Sequence, residues 1–190
     1  MRAFADKKDK GRKPALFLDR DGVLIRDREG FYLKKLEEVR VYPTAVEGLK
    51  KISGLGYRLI VLTNQSAIAR GYISLSESVG INKFIAAYFR KRGVKISGIY
   101  FCPHLPDSGC SCRKPSTGLV KEALKDFRTD LKRSFMAGDK QSDMKLAAAA
   151  GLNSVFVLTG QARKQMKKYN IKADFRIKDL RGLKRALKNL

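Results

Sequence analysis

Short apolar runs that end in a polar cluster recur along this chain, and each is followed by a stretch with the spacing of a helix. Such runs are what strands covered on both faces look like, because neither face alternates with water. Ala15-Leu16-Phe17-Leu18, Leu59-Ile60-Val61-Leu62, Ile99-Tyr100-Phe101, Phe135-Met136-Ala137 and Val155-Phe156-Val157-Leu158 are such runs, and Phe175 with Ile177 makes a weaker one. Helical periodicity occupies 45–55, 75–92, 119–127, 144–150 and 180–190. Strand and helix therefore alternate throughout. That alternation predicts an α/β fold: a Rossmann-like parallel sheet with helices on both faces, right-handed crossovers, and ligands at the strands' carboxyl ends.

A chain of 190 residues suits a single domain, assigned to 15–190. Residues 1–14 are Lys/Arg-rich without an apolar period and are expected to form a flexible basic arm. Net charge is +23, of which +4 falls in residues 1–14 and +9 in residues 161–190. This balance invites a nucleic-acid or anionic-surface partner, but no strip of interleaved aromatic and basic residues suggests base stacking, so nucleic acid is not the expected partner. The longest apolar run, Leu146 to Leu152, is far too short to cross a bilayer. No secretory signal is read at the start, and a reducing cytoplasm is the expected compartment.

The polar clusters carry the chemistry. Asp19-Arg20-Asp21-Gly22 places two carboxylates two apart at a strand end, with a glycine for the sharp turn. Thr63-Asn64 follows the second strand, Arg113-Lys114-Pro115 precedes the third helix, and Gly138-Asp139-Lys140-Gln141-Ser142-Asp143 follows the fourth strand. Alone, an Asp-x-Asp is more often a solvated turn. Together, the four clusters converge on one edge of the predicted sheet. Residues 22–43, charged around Phe31 and Tyr32, suggest a flap over that edge and no large cap domain.

All three cysteines and the lone histidine fall within eleven residues: Cys102, His104, Cys110 and Cys112. Four soft or borderline ligands suit a tetrahedral Zn2+ with no open position, hence a structural zinc-binding loop ending at Arg113-Lys114. The alternatives are buried cysteines, which would be scattered among strands, and a disulfide, which leaves one cysteine over.

These blocks resemble the haloacid-dehalogenase-like phosphohydrolases, whose motifs are an Asp-x-Asp, a Thr or Ser, a Lys, and a Gly-Asp with a further acid. The resemblance implies a phosphoric monoester hydrolase. In it, Asp19 attacks phosphorus to form an aspartyl-phosphate, and Asp21 protonates the leaving alcohol and then activates water. Thr63 and Lys114 hold the phosphoryl oxygens. Mg2+ is implied on Asp19, the Asp21 backbone carbonyl and Asp139, with Asp143 behind them. Flap residues Asp27, Arg28, Glu29 and Gly30, with Asn64, Gln65, Ser66, Arg113 and Lys140, are expected to contact the rest of the substrate.

Two branches of the family compete. Phe17 to Gly22, Thr63 to Gly71, Cys112 to Pro115 and Gly138 to Lys140 look like the heptose-bisphosphate branch, whereas the five-residue spacer from His104 to Cys110 looks like the histidinol-phosphate branch. The block after the second strand should lie beside the substrate, so a sugar phosphate is favoured. Ala67 and Val23 depart mildly from the residues expected there. A nucleic-acid 3′-end phosphatase or a polyanion-binding protein is the reading from another class. A monomer is the default.

Overall fold

The computed structural model describes residues 1–7, 11–27, 30 and 32–188. Among the described residues seven strands form one sheet: β1 (Arg2–Ala5), β2 (Ala15–Leu18), β3 (Arg58–Asn64), β4 (Ile96–Cys102), β5 (Phe135–Gly138), β6 (Asn153–Val157) and β7 (Phe175–Ile177). Their spatial order is β1-β4-β3-β2-β5-β6-β7, parallel except for β1. The helices are α1 (Pro43–Ile52), α2 (Leu75–Arg90), α3 (Gly118–Asp126), α4 (Gln141–Ala150), α5 (Ala162–Lys168) and α6 (Leu183–Lys188).

The continuous burial of β2 explains its composition, since successive side chains feed opposite layers. Leu16 and Leu18 pack with α1, α2 and α6 through Leu49, Ile85 and Leu183. Ala15 and Phe17 pack with α3 and α4 through Leu119, Val120 and Leu146. From β2 the chain winds outward through β3 to β4, then returns to β5 on the other side and winds through β6 to β7. The reversal lies between β2 and β5, so their carboxyl ends open the crevice in which doubly wound sheets bind ligands. Asp19 and Asp139 stand at those two ends.

Within residues 1–14, expected as a flexible basic arm, Arg2–Ala5 adds an antiparallel edge strand, with Arg2 opposite Tyr100 and Ala5 opposite Gly98, and residues 8–10 lie outside the described residues. The lure is local. The backbone of β4 offers an unpaired edge, Phe4 packs against the core, and the nearly buried Asp126 draws in Arg2 at 2.7 Å and Lys7 at 2.5 Å. Helix α5 was also missing from the expected elements: its sequence buries Ala162 alone and shows no apolar stripe.

Between β2 and α1 the described residues hold one short 3-10 turn, Leu36–Glu38, and a small bridged loop in which Ile25 pairs with Asp21 and Val41. Val23, Leu24 and Ile25 are buried. The flap is thus a rooted loop and not a cap domain. No described helix is long and apolar enough to cross a membrane.

Candidate active site

A cleft of about 320 Å³ opens at the carboxyl ends of β2, β3 and β5. Asp19, Asp21, Thr63, Asn64, Gln65, Ser66, Arg113, Lys114 and Lys140 line it, together with Asp27 and Gly30 of the flap. Arg28 and Glu29 lie outside the described residues.

The chain turns sharply after Asp19. Gly22 adopts φ +90°, and a Cβ there would collide with the Asp139 carboxylate. Gly160 is equally confined against Asp139, and Gly138 against Asp143. Backbone alone can approach these acids so closely.

Asp19 Oδ1 accepts the Arg20 N–H at 2.7 Å and lies 2.8 Å from the Lys114 ammonium. The same ammonium sits 2.7 Å from Asp143 Oδ1 and donates to the Leu62 carbonyl at 2.8 Å. Three oxygens, from Asp19, Asp143 and Leu62, therefore lie within 2.8 Å of Lys114 Nζ. Lys114 aims Asp19 by holding one of its oxygens. The Asn64 amide clasps the Lys114 backbone at both ends, donating to its carbonyl at 3.2 Å and accepting its N–H at 3.0 Å. Asn64, expected as a substrate contact, lines the cleft and also places Lys114.

Lys140 lies across the cleft. Its ammonium donates to Asp27 Oδ2 at 2.9 Å and to the Asp21 carbonyl at 3.3 Å, with Asp139 Oδ1 at 3.6 Å and Asp19 Oδ2 at 3.9 Å. Gln161 Nε2 donates to the same Asp27 oxygen at 2.7 Å, and its backbone N–H to Asp139 Oδ2 at 2.7 Å. Gln161 lines the cleft from a segment that carries no sequence motif, whereas Ser142 belongs to the Gly138–Asp143 cluster and Arg26 and Tyr32 to the expected flap, and all three also line it.

Arg20 is the middle residue of the Asp-x-Asp. It is 2% exposed and grips both Asp21 oxygens at 3.0 Å. Gln65 donates to Asp21 Oδ2 at 2.7 Å and to Thr63 Oγ1 at 2.9 Å.

Asp19, Asp139 and Asp143 each offer an oxygen to one small volume. Burial pushes all three carboxyls up. For Asp19 the charges of Lys114 and Lys140 outweigh burial and hold its carboxyl below the ordinary range. For Asp139 burial prevails over Lys140, the neighbouring acids add to it, and the carboxyl is pushed up to about 8. Asp143 is likewise raised by burial despite Lys114. The buried Asp139 Oδ1 accepts no hydrogen bond among the described residues. A carboxylate cluster short of positive charge, with an unsatisfied hard oxygen turned into it, fits a small divalent cation.

The second cluster starts at Cys102, the last residue of β4, and continues into the loop that follows. Cys102 Sγ is 3.5 Å from His104 Nδ1 and 3.5 Å from Cys110 Sγ, and Cys112 Sγ is 3.3 Å from His104 Nδ1 and 3.6 Å from Cys110 Sγ. A zinc ion bound tetrahedrally by sulfur and imidazole spaces its ligands roughly 3.5 to 3.8 Å apart, so this arrangement is compatible with a zinc-binding loop. Burial pushes the Cys102 thiol up to about 12, where water would not keep it ionised but a metal would. Arg113 donates to the His104 carbonyl at 3.2 Å, which ties this loop to the cleft.

The comparisons agree with this geometry. The HAD-hydrolase-like family model matches residues 111–183. A probable D-glycero-D-manno-heptose-1,7-bisphosphate 7-phosphatase of Thermoplasma acidophilum is 46% identical over 72% of this chain and 85% of its own. The D-glycero-beta-D-manno-heptose-1,7-bisphosphate 7-phosphatase of Helicobacter pylori strain 26695 is 41% identical over 74% of this chain and 78% of its own. Among solved structures, the D,D-heptose 1,7-bisphosphate phosphatase from B. bronchiseptica, complexed with magnesium and phosphate, superposes with a TM-score of 0.85 at 28% identity, covering 93% of this chain and 99% of that one. The strand order, the acids gathered at its reversal point and these relatives lead to one assignment: the chain belongs to the haloacid-dehalogenase-like phosphatases, phosphoric monoester hydrolases, within the family of the heptose-1,7-bisphosphate 7-phosphatases.

Proposed function

We propose that this protein removes the 7-phosphate of D-glycero-D-manno-heptose 1,7-bisphosphate through an aspartyl-phosphate on Asp19. The observation that carries the chemistry is the placement of Asp19, aimed by the buried Lys114 and facing the cleft beside Asp21. The names of the relatives carry the substrate.

Asp19, the Asp21 carbonyl and Asp139 are the groups suited to hold Mg2+, with Asp143 behind them. When bound, the ion supplies the positive charge that lets a phosphate dianion approach a carboxylate. A free oxygen of Asp19 forms the bond to phosphorus as the bond to the leaving alkoxide breaks, and the Asp21 proton passes to that alkoxide. Asp21 then accepts a proton from the water that attacks the phosphoryl group, which frees inorganic phosphate and restores Asp19. The Thr63 hydroxyl, which lines the cleft 3.5 Å from Asp21 Oδ2, is the group suited to donate to a phosphoryl oxygen. Arg113 and Lys140 offer charge to the phosphate that is not cleaved.

A heptose bisphosphate carries about three to four negative charges, whereas histidinol phosphate presents an amine that wants a carboxylate. Asp27, the flap carboxylate lining the cleft, is already engaged by Lys140 and Gln161. The bisphosphate should therefore show the higher kcat/KM, with the gap narrowing as ionic strength rises. A preference for histidinol phosphate at both low and high salt would move the chain to the other branch.

Zinc is the proposed occupant of the Cys102, His104, Cys110 and Cys112 cluster. Elemental analysis should find about one zinc per chain. Cys110→Ser should loosen the link through His104 to Arg113 and raise KM more than it lowers kcat. A zinc-free protein with unaltered kinetics would exclude this role.

A further inference from the structure

Asp21 is held by buried polar side chains that run away from the cleft, and the far end of that chain lies on α2. Arg20 donates from Nε to Asp21 Oδ1 at 3.2 Å and from one terminal nitrogen to both Asp21 oxygens at 3.0 Å. That nitrogen also reaches Gln65 Oε1 at 2.8 Å, and the other terminal nitrogen donates to Asn82 Oδ1 at 2.9 Å. Asn82 is fully buried and does not line the cleft. Its Nδ2 has no hydrogen-bond partner among the described residues. The amide is thus turned so that its oxygen serves Arg20 while its own donors go unused, an arrangement that costs the interior a desolvated NH2 group.

We infer that Asn82 is a positioning residue for the reaction: through Arg20 it fixes the direction of the Asp21 carboxylate, and with it the transfer of a proton to the leaving oxygen. The inference rests on the reading of Asp21 as the general acid. A guanidinium is a rigid planar fork, so the corner that Asn82 pins determines the plane in which the other corners meet Asp21. Gln65 and Thr63 hold Asp21 from the cleft side, but no other described side chain pins the Arg20 corner that faces α2. Releasing that corner lets the fork rotate and takes the carboxylate with it. General acids depend steeply on such alignment.

The test is the leaving-group dependence of kcat/KM in the magnesium-loaded enzyme, comparing an alkyl sugar phosphate with 4-nitrophenyl phosphate. Nitrophenolate departs without a proton, so the aryl ester is indifferent to the acid, and kcat/KM excludes the later hydrolysis of the aspartyl-phosphate. Asp21→Asn should lose far more on the alkyl ester than on the aryl one. Asn82→Leu should follow the same pattern, with a loss of about 10-fold or more on the alkyl ester and less than about 3-fold on the aryl ester. Asn82→Asp, which keeps an acceptor facing Arg20, should retain the parent ratio of the two. If Asn82→Leu does not fold, Arg20→Lys takes its place, since one ammonium cannot reach Asp21, Gln65 and Asn82 together. Equal losses on both esters, or no loss, while Asp21→Asn stays selective would overturn the positioning role and leave the general acid in place. An unselective Asp21→Asn would instead remove the acid reading, and this inference with it.

Discussion

Asp19→Asn should abolish turnover, lowering kcat by several orders of magnitude while the protein still folds. The amide keeps the shape of the carboxylate but removes the lone-pair charge that attacks phosphorus, and losses on that scale accompany removal of a covalent nucleophile. The structure adds a reason to expect an intact fold. Asp19 lies beside two ammonium groups, Lys114 at 2.8 Å and Lys140 at 3.9 Å, and Lys114 keeps Asp143 at 2.7 Å when the Asp19 charge is gone. The Arg20 N–H still finds the amide oxygen. Phosphate release and a thermal melt, measured on the same preparation, check both halves. Turnover within about 10-fold of the parent would remove Asp19 from the nucleophile's position.

The layered sheet and the four polar clusters were legible because both arise from local sequence. A strand buried on two faces must be apolar along its length, as Ala15 to Leu18 is, and an acid at its end must be met by a turn, as Gly22 provides. Two elements escaped for opposite reasons. Arg2–Ala5 is a strand because of what it pairs with, the free edge of β4 and the carboxylate of Asp126, both distant in sequence. Helix α5 contributes a single buried side chain and so leaves no periodic trace. At the site, types of residue were readable and partnerships were not. Arg20 looked like a spacer because its guanidinium turns into the interior, where Asn82 and Gln65 meet it from 62 and 45 positions away. Asn64 reads as a ligand contact because an amide after a strand often is one, and it does line the cleft, but its clasp on the Lys114 backbone is not legible from spacing. Such assignments depend on side-chain direction, which no spacing rule encodes.

Lys114→Met should be the substitution most damaging to the resting protein. Lys114 stays protonated because the Asp143 and Asp19 charges outweigh the burial that would strip its proton. Methionine fills much the same volume but leaves two buried carboxylates without their shared counter-ion, and removing one member of a buried charge cluster costs about 3–5 kcal/mol. Urea unfolding in magnesium-free buffer should therefore shift to markedly lower denaturant. Added Mg2+ should recover part of that loss, since a cation held by Asp19 and Asp139 replaces some of the missing positive charge and stabilises the folded state by mass action. Activity should stay low even at saturating Mg2+, because nothing then fixes Asp19 Oδ1 from the β3 side, where the lysine links it to the Leu62 carbonyl. A methionine variant as stable as the parent without magnesium would mean that Asp19 and Asp143 do not both carry charge in the folded protein, and that the lysine's role there is confined to catalysis.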